Sequence, residues 1–235
     1  MTAPAAGRAC LLFDLDGTML DTDHLHLRAW NEVLHGPALD EAFYRTRIMG
    51  LPNAQITRLL LPDGGEADRQ ALADAKETRF RSLLGGSATP LPGLALLLDA
   101  AEAAGIGLAV VTNAPRANAE AMLRGLGWAS RFPVLVIGEE LPRPKPDPLP
   151  YIVALEQLGG SAAAAIAFED SRSGMRAAAG CGAFTVGIAT TLGADELRAA
   201  GAALVVRDYT DPLLGNELRA RAGIDPGATG RVVHA

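Results

Sequence analysis

The chain has 235 residues, 49% of them hydrophobic and 20% charged, with a formal net charge of −6. That apolar content excludes wholesale disorder, and the acidic balance excludes a general nucleic-acid binder, which carries a basic face. The two cysteines, Cys10 and Cys181, stand far apart in apolar stretches, so neither a disulfide framework nor a cysteine zinc site is expected.

In chain order, the first predicted strand covers residues 9–13, apolar throughout and stopped by Asp14. From about Asp21 to Ala88 the sequence has no strand pattern. Amphipathic patterns run instead through residues 24–34, 41–48, 54–60 and 67–84, punctuated by Gly36-Pro37, Gly50-Leu51-Pro52 and Pro62-Asp63-Gly64-Gly65. Gly85-Gly86 and Pro90-Leu91-Pro92-Gly93 lead out of this stretch. Further apolar, strand-length runs follow at residues 106–111, 134–137, 164–168, 184–188 and 203–206. Helices are predicted at residues 94–104, 117–126, 148–158, 173–179 and 194–199, most of them followed by a glycine that suits a helix end. The Ala-rich patches at residues 161–165 and 176–179 read as close packing. Continuous apolar strands alternating with helices suit a parallel sheet covered on both faces. The expected fold is therefore α/β: a Rossmann-like doubly wound parallel sheet core, residues 1–20 and 89–235, with an all-helical unit, residues 21–88, inserted after the first strand. Beyond Asn216 the composition becomes rich in Ala, Gly and Arg, and residues 221–235 are expected to form a peripheral tail. No segment approaches the ~20 apolar residues that span a bilayer, and residues 1–7 lack a long apolar run. A cytoplasmic protein without a membrane partner is expected.

The chemistry-bearing residues gather at strand ends, where ligands of open α/β sheets bind. The first strand runs into Asp14-Leu15-Asp16-Gly17-Thr18, and a later one into Glu169-Asp170-Ser171. Either acidic pair alone serves equally well as a helix cap or an Asx-turn. Two pairs at the ends of two apolar strands can instead build an oxygen-rich site for Mg²⁺, which relieves the repulsion between carboxylates. Val111 leads into Thr112-Asn113, where a hydroxyl and exposed amides can hold an anion or simply cap the next helix. Lys145 stands between Pro144 and Pro146, whose rings fix the chain and suit a lysine aimed at a fixed anionic target, the alternative being an ordinary surface lysine in a Pro-rich loop.

Taken together, Asp14 to Thr18, Thr112, Lys145 and Glu169-Asp170 resemble, in order, the four motifs of the haloacid dehalogenase-like hydrolase superfamily. The helical stretch resembles the helical C1 cap of its subfamily I. Asp21-Thr22 through His26 to Trp30 is similar to the branch that contains β-phosphoglucomutase and phosphoglycolate phosphatase. The resemblance implies a Mg²⁺-dependent phosphatase that hydrolyses a small phosphorylated metabolite through an aspartyl-phosphate. Asp14 would be the nucleophile and Asp16 the general acid and base. Asp14, the backbone carbonyl of Asp16, and Asp170 would hold the metal, with Glu169 beside or behind them. Thr112, Asn113 and Lys145 would bind the phosphoryl group, and Lys145 would also stabilise Asp14. Asp16 argues against dehalogenation, because the dehalogenases lack an aspartate there. In the cap, His26 and Trp30 are four apart and share a helix face, which makes them pocket candidates, with a helix-surface or core histidine the alternative for His26. Arg47 and Asn53 flank Met49-Gly50-Leu51-Pro52, which resembles the specificity loop of this cap type. β-Phosphoglucomutase carries a lysine and an arginine where Met49 and Asn53 stand, so a phosphosugar mutase is the alternative and a phosphatase the preferred reading. A monomer or small homo-oligomer is expected.

Overall fold

The computed structural model describes residues 7–86 and 88–226. Its centre is a six-stranded sheet of β1 (Arg8–Phe13), β2 (Gly107–Thr112), β3 (Val134–Ile137), β4 (Gly160–Glu169), β5 (Phe184–Ile188) and β6 (Leu204–Val206). The order is β3-β2-β1-β4-β5-β6, and every adjacent pair is parallel. The chain winds outward from β1 through β2 to β3, then returns to β1's other side to lay down β4, β5 and β6. The reversal puts the topological switch point beside the carboxyl ends of β1, β2 and β4.

The central strands bury both faces over their carboxyl-terminal halves, which is why those stretches read as unbroken apolar runs. Leu11, Phe13, Leu108, Val110, Ile166 and Phe168 face one core; Cys10, Leu12, Ala109, Val111, Ala165 and Ala167 face the other. The first core is covered by α5 (Leu94–Ala103), α6 (Arg116–Gly125) and α10 (Pro212–Ala222). The second is covered by α7 (Leu149–Leu158) and α8 (Arg172–Gly180). Here Ala154, Ala177 and Ala178 meet alanines of the sheet, so small residues on both sides bring helix and strand close. A smaller cluster of Met175, Leu197 and Ala200 ties α8 to α9 (Ala194–Ala200). Phe13 and Phe168 are register partners on β1 and β4, and their rings stack with centroids 4.7 Å apart. The Asp14 N–H donates to Phe168 O at 3.0 Å, which carries the pairing one residue past the strand. That register sets Asp14 beside the end of β4.

Between β1 and α5 the described residues form helices: α1 (Asp23–Val33), α2 (Glu41–Phe43) running on into a π-helical turn (Tyr44–Ile48), α3 (Asn53–Leu60) and α4 (Glu66–Leu84). They have a small core of their own, Trp30, Tyr44, Ile48 and Ile56. They also lend Ala29, Phe80 and Leu84 to the core beneath the sheet. The chain leaves and re-enters the sheet side by side, with the Leu91 N–H donating to Met19 O at 2.8 Å.

Two expectations need correction. The Ala-rich run at residues 161–165 is part of β4, which begins at Gly160 because Gly159 ends α7 in the left-handed conformation with no spacer after it. The stretch from Arg221 onward is not wholly peripheral. Arg221 and Ala222 close α10, Arg221 lies 3.6 Å over the Phe184 ring, and Ile224 is buried in the main core. Residues 227–235 of the expected tail, like residues 1–6, lie outside the described residues. Among the described residues no helix is long and apolar enough to cross a membrane.

Trp30 is 1% exposed at the centre of the small helical core. Trp30→Ala should therefore cost about 3–5 kcal/mol in denaturant unfolding, the range for a large aromatic removed from a core. A loss below about 1 kcal/mol, ordinary for a surface position, would contradict that placement.

Candidate active site

Three strand ends converge at the switch point. The central object is the ammonium of Lys145, 6% exposed as a residue. It donates to Asp14 Oδ1 at 2.6 Å, to Val111 O at 2.6 Å and to Glu169 Oε1 at 2.5 Å, using all three of its protons. Burial alone would push this ammonium towards neutrality, but Asp14 and Glu169 outweigh it and hold its pKa above the ordinary value. Asp14 is pushed up to about 8, first by burial and then by the charge of Glu169, against the pull of Lys145.

Glu169 has no exposed surface, and Tyr151 Oη donates to its Oε1 at 2.7 Å while Ser171 Oγ donates to its Oε2 at 3.2 Å. Gly174 makes room for it: a Cβ there would lie 1.9 Å from Oε1. Asp170 accepts from Thr18 Oγ1 at 3.2 Å and from Thr191 Oγ1. Gly17 is required twice at this point. Its φ is +72°, and a Cβ would lie 2.1 Å from Asp170 Oδ2. The sequence Asp-x-Asp-Gly-Thr thus turns tightly under Asp170 because only glycine fits there.

Asp14, Glu169 and Asp170 each present a carboxylate oxygen within 4.8 Å of the others. Ionising all three carboxyls against the single buried ammonium would leave an excess equal to one divalent cation, and the raised Asp14 and Asp170 pKa values show that they resist it without one. Burial and then the charges of Asp14 and Glu169 drive the Asp170 carboxyl well above its ordinary range. The donor set is hard oxygen throughout, the kind that Mg²⁺ takes. Glu169 already serves Lys145, Tyr151 and Ser171, so Asp14 and Asp170 are the freer donors.

Asp16 stands apart from this group. Its Oδ1 accepts from Thr22 Oγ1 at 2.8 Å and lies 3.1 Å from His26 Nε2. His26 Nδ1 lies 2.8 Å from Lys76 Nζ. An ammonium can only donate, so Nδ1 accepts, and the ring proton sits on Nε2, pointed at Asp16. Burial raises the Asp16 pKa, but the His26 and Thr22 contacts prevail and leave it below the ordinary range.

The remaining expected residues are placed as follows. Thr112 ends β2 and its Oγ1 accepts the Ala114 N–H at 3.0 Å. Asn113 turns its amide to the backbone of Lys145: Nδ2 donates to Lys145 O at 3.1 Å, and the Lys145 N–H donates to Oδ1 at 3.3 Å. Asn53 donates to Glu77 Oε1 at 2.6 Å. Arg47 is exposed on the turn after α2. Trp30 belongs to the helical core and meets the site only through Lys76, whose Nζ lies 5.5 Å from its ring centroid. So His26 and Trp30 share a helix without sharing a role, and a buried wall replaces the expected pocket position.

Sequence reasoning missed Lys76, Glu77, Asn118 and Tyr151. Lys76 is 4% exposed and paired with Glu77 at 2.8 Å; Glu77 Oε2 accepts from Asn118 on α6 at 2.6 Å. A signal was present: Lys76 lies between Ala73 and Phe80 at helical spacing, so it interrupts the apolar stripe of α4.

A family model for the haloacid dehalogenase-like hydrolases matches residues 11–188. The chain belongs to the haloacid dehalogenase-like hydrolase family. It is 35% identical over 184 residues to Protein CbbY of Rhodobacter capsulatus, covering 73% of this chain and 81% of the relative. It is 32% identical over 179 residues to a phosphorylated carbohydrates phosphatase of Thermotoga maritima, again covering 73% and 81%. Among solved structures, CbbY from Rhodobacter sphaeroides in complex with phosphate superposes with a TM-score of 0.77 at 30% identity, covering 87% of this chain and 96% of that one. The switch-point cluster of this haloacid dehalogenase-like chain rests on one buried cation. Lys145→Ala should cost about 3–5 kcal/mol in urea unfolding with chelator present, because two buried carboxyls lose their partner. An unchanged unfolding midpoint would mean that the ammonium does not hold them.

Proposed function

We propose that the protein is a Mg²⁺-dependent phosphoric monoester hydrolase acting on a small phosphorylated metabolite through an aspartyl-phosphate on Asp14. The observation that carries this reading is the Asp14 carboxyl at the end of β1, with one oxygen fixed by Lys145 at 2.6 Å and the acidic cluster beside it. The names of the relatives support the class: phosphatases for phosphoglycolate, phosphorylated carbohydrates and fructose 1-phosphate are among them. We also assign residues 21–88 as a cap that closes over the site.

In the first half-reaction an Asp14 oxygen attacks phosphorus and the ester oxygen leaves, taking a proton from Asp16, which must enter this step protonated although the His26 and Thr22 contacts favour its carboxylate when no substrate is bound. In the second, Asp16 removes a proton from water, the hydroxyl oxygen attacks phosphorus, and Asp14 is released with inorganic phosphate. Asp14, Asp170 and the backbone carbonyl of Asp16 would hold Mg²⁺, with Glu169 behind them. The ion would supply neutralisation of the phosphoryl oxygens. Lys145 keeps Asp14 oriented and offsets the charge that gathers at the phosphoryl group. Thr112 and the amides after it face the transferred group. The His26 Nε2 proton aims at Asp16 and steadies its carboxylate between the two half-reactions, with Lys76 fixing the tautomer.

Hydrolysis is preferred to phosphosugar mutation because a mutase needs a cation in the cap for the second phosphate. Here Asn53 fills that place and is bonded to the carboxylate of Glu77. The test is phosphate release from aryl and sugar phosphates with and without Mg²⁺, alongside phosphorus NMR of β-glucose 1-phosphate with a bisphosphate activator. Mg²⁺-dependent release that Asp14→Asn abolishes while the variant stays folded is the expected result. Conversion to glucose 6-phosphate without phosphate release would establish the mutase instead.

A further inference from the structure

We infer that Asn113 is a positioning residue, whose side chain fixes the backbone of Lys145 and thereby aims its ammonium at Asp14; this rests on the phosphatase reading only for its kinetic test. Two independent features carry it. The first is reciprocal hydrogen bonding. The amide of Asn113 donates to Lys145 O at 3.1 Å and accepts the Lys145 N–H at 3.3 Å, so both polar groups of that peptide unit's residue are held by one side chain. The flanking prolines, Pro144 and Pro146, have no N–H of their own, so the Lys145 N–H is the one backbone donor in this three-residue segment. The second feature is a space kept for the amide. A Cβ on Gly138 would lie 2.0 Å from Asn113 Oδ1 and 3.4 Å from Pro144 Cβ. Gly138 has no left-handed conformation to explain it, so the room it leaves is what the glycine supplies there.

The arrangement couples two strand ends to one ammonium. Asn113 follows β2 directly, and Gly138 follows β3. The lysine side chain then runs from this anchored backbone to Val111 O on β2, Asp14 after β1 and Glu169 on β4. A long flexible side chain keeps its tip within hydrogen-bond distance of three acceptors only if its root is fixed. One N–H and one oxygen lone pair of the amide are spent on Lys145, which fixes the plane of the Asn113 side chain against that backbone.

The experiment is a set of double-mutant cycles on the full chain. Asn113→Ala should lower kcat by about 10- to 100-fold, the cost of a misplacement near 1 Å at a reacting centre, with KM changed by less than about threefold. Gly138→Ala should produce the same loss by displacing the amide. The double variant Asn113→Ala/Gly138→Ala should be no slower than either single one. In a Lys145→Ala background, Asn113→Ala should cost nothing further. Independently of turnover, ¹⁵N NMR should show slowly exchanging ammonium protons for Lys145 in the wild type and lose that protection in Asn113→Ala. Unchanged kcat, a rise confined to KM, additive losses with Lys145→Ala, or retained ammonium protection would each overturn the inference. If no phosphate ester is hydrolysed by the wild type, the phosphatase reading fails and the NMR comparison alone decides this one.

Discussion

One buried ammonium organises the end of this sheet. Asp14 and Glu169 come from neighbouring strands and would repel each other in a water-poor site. Lys145, reaching in from the loop after β3, bonds to both and to the backbone of β2. Removing a charge from water costs several kcal/mol, so such an arrangement persists only when every proton and lone pair is matched. The weaker requirement holds throughout: among the described residues, no buried side-chain nitrogen or oxygen is without at least one hydrogen-bond partner. Three carboxyls against one ammonium cannot all ionise without a further cation, and that demand connects a static ion cluster to metal and phosphate chemistry.

The fold supplies the convergence, and the register supplies the accuracy. Phe13 pairs with Phe168 and Val110, so the residues just beyond them come out level at the switch point. A one-residue slip would exchange the two cores and bury Asp14 under a helix. The stacked Phe13 and Phe168 rings resist that slip from the core side, and the Asp14 N–H resists it from the backbone. Glycines at 17 and 174 then let the carboxylates approach where any side chain would collide. Packing, turn chemistry and electrostatics agree on a single geometry.

Much of this was legible in the residues. Apolar runs with no polar alternation announced strands buried on both faces, and the acidic pairs stood at their ends. Lys145 was conspicuous between two prolines. What the linear pattern could not supply was the partner of each polar group. Asn113 read as a phosphate ligand because it follows Thr112; its amide instead meets a loop 32 residues away, a contact created by the folding of β3 against β2. Lys76 drew no notice within the amphipathic pattern of residues 67–84, because a lysine on such a helix is usually solvated. Its burial depends on His26, which is 50 residues distant. Trp30 and His26 share helical spacing but diverge, one into a hydrophobic core and the other towards Asp16. The final helix, Pro212–Ala222, escaped notice because it buries only Leu214 and Leu218, too few apolar positions to set a helical period.

The proposed chemistry requires a covalent bond to one oxygen of Asp14. Rapid-quench trapping during turnover of a phosphate ester, followed by borohydride reduction and peptide mass spectrometry, looks for that bond directly. An acyl phosphate on Asp14 is reduced to homoserine, so the peptide spanning residues 9–28 should carry homoserine at position 14 only when substrate is present. Steady release of phosphate with an unmodified Asp14, or with the modification on another carboxyl, would contradict the central claim.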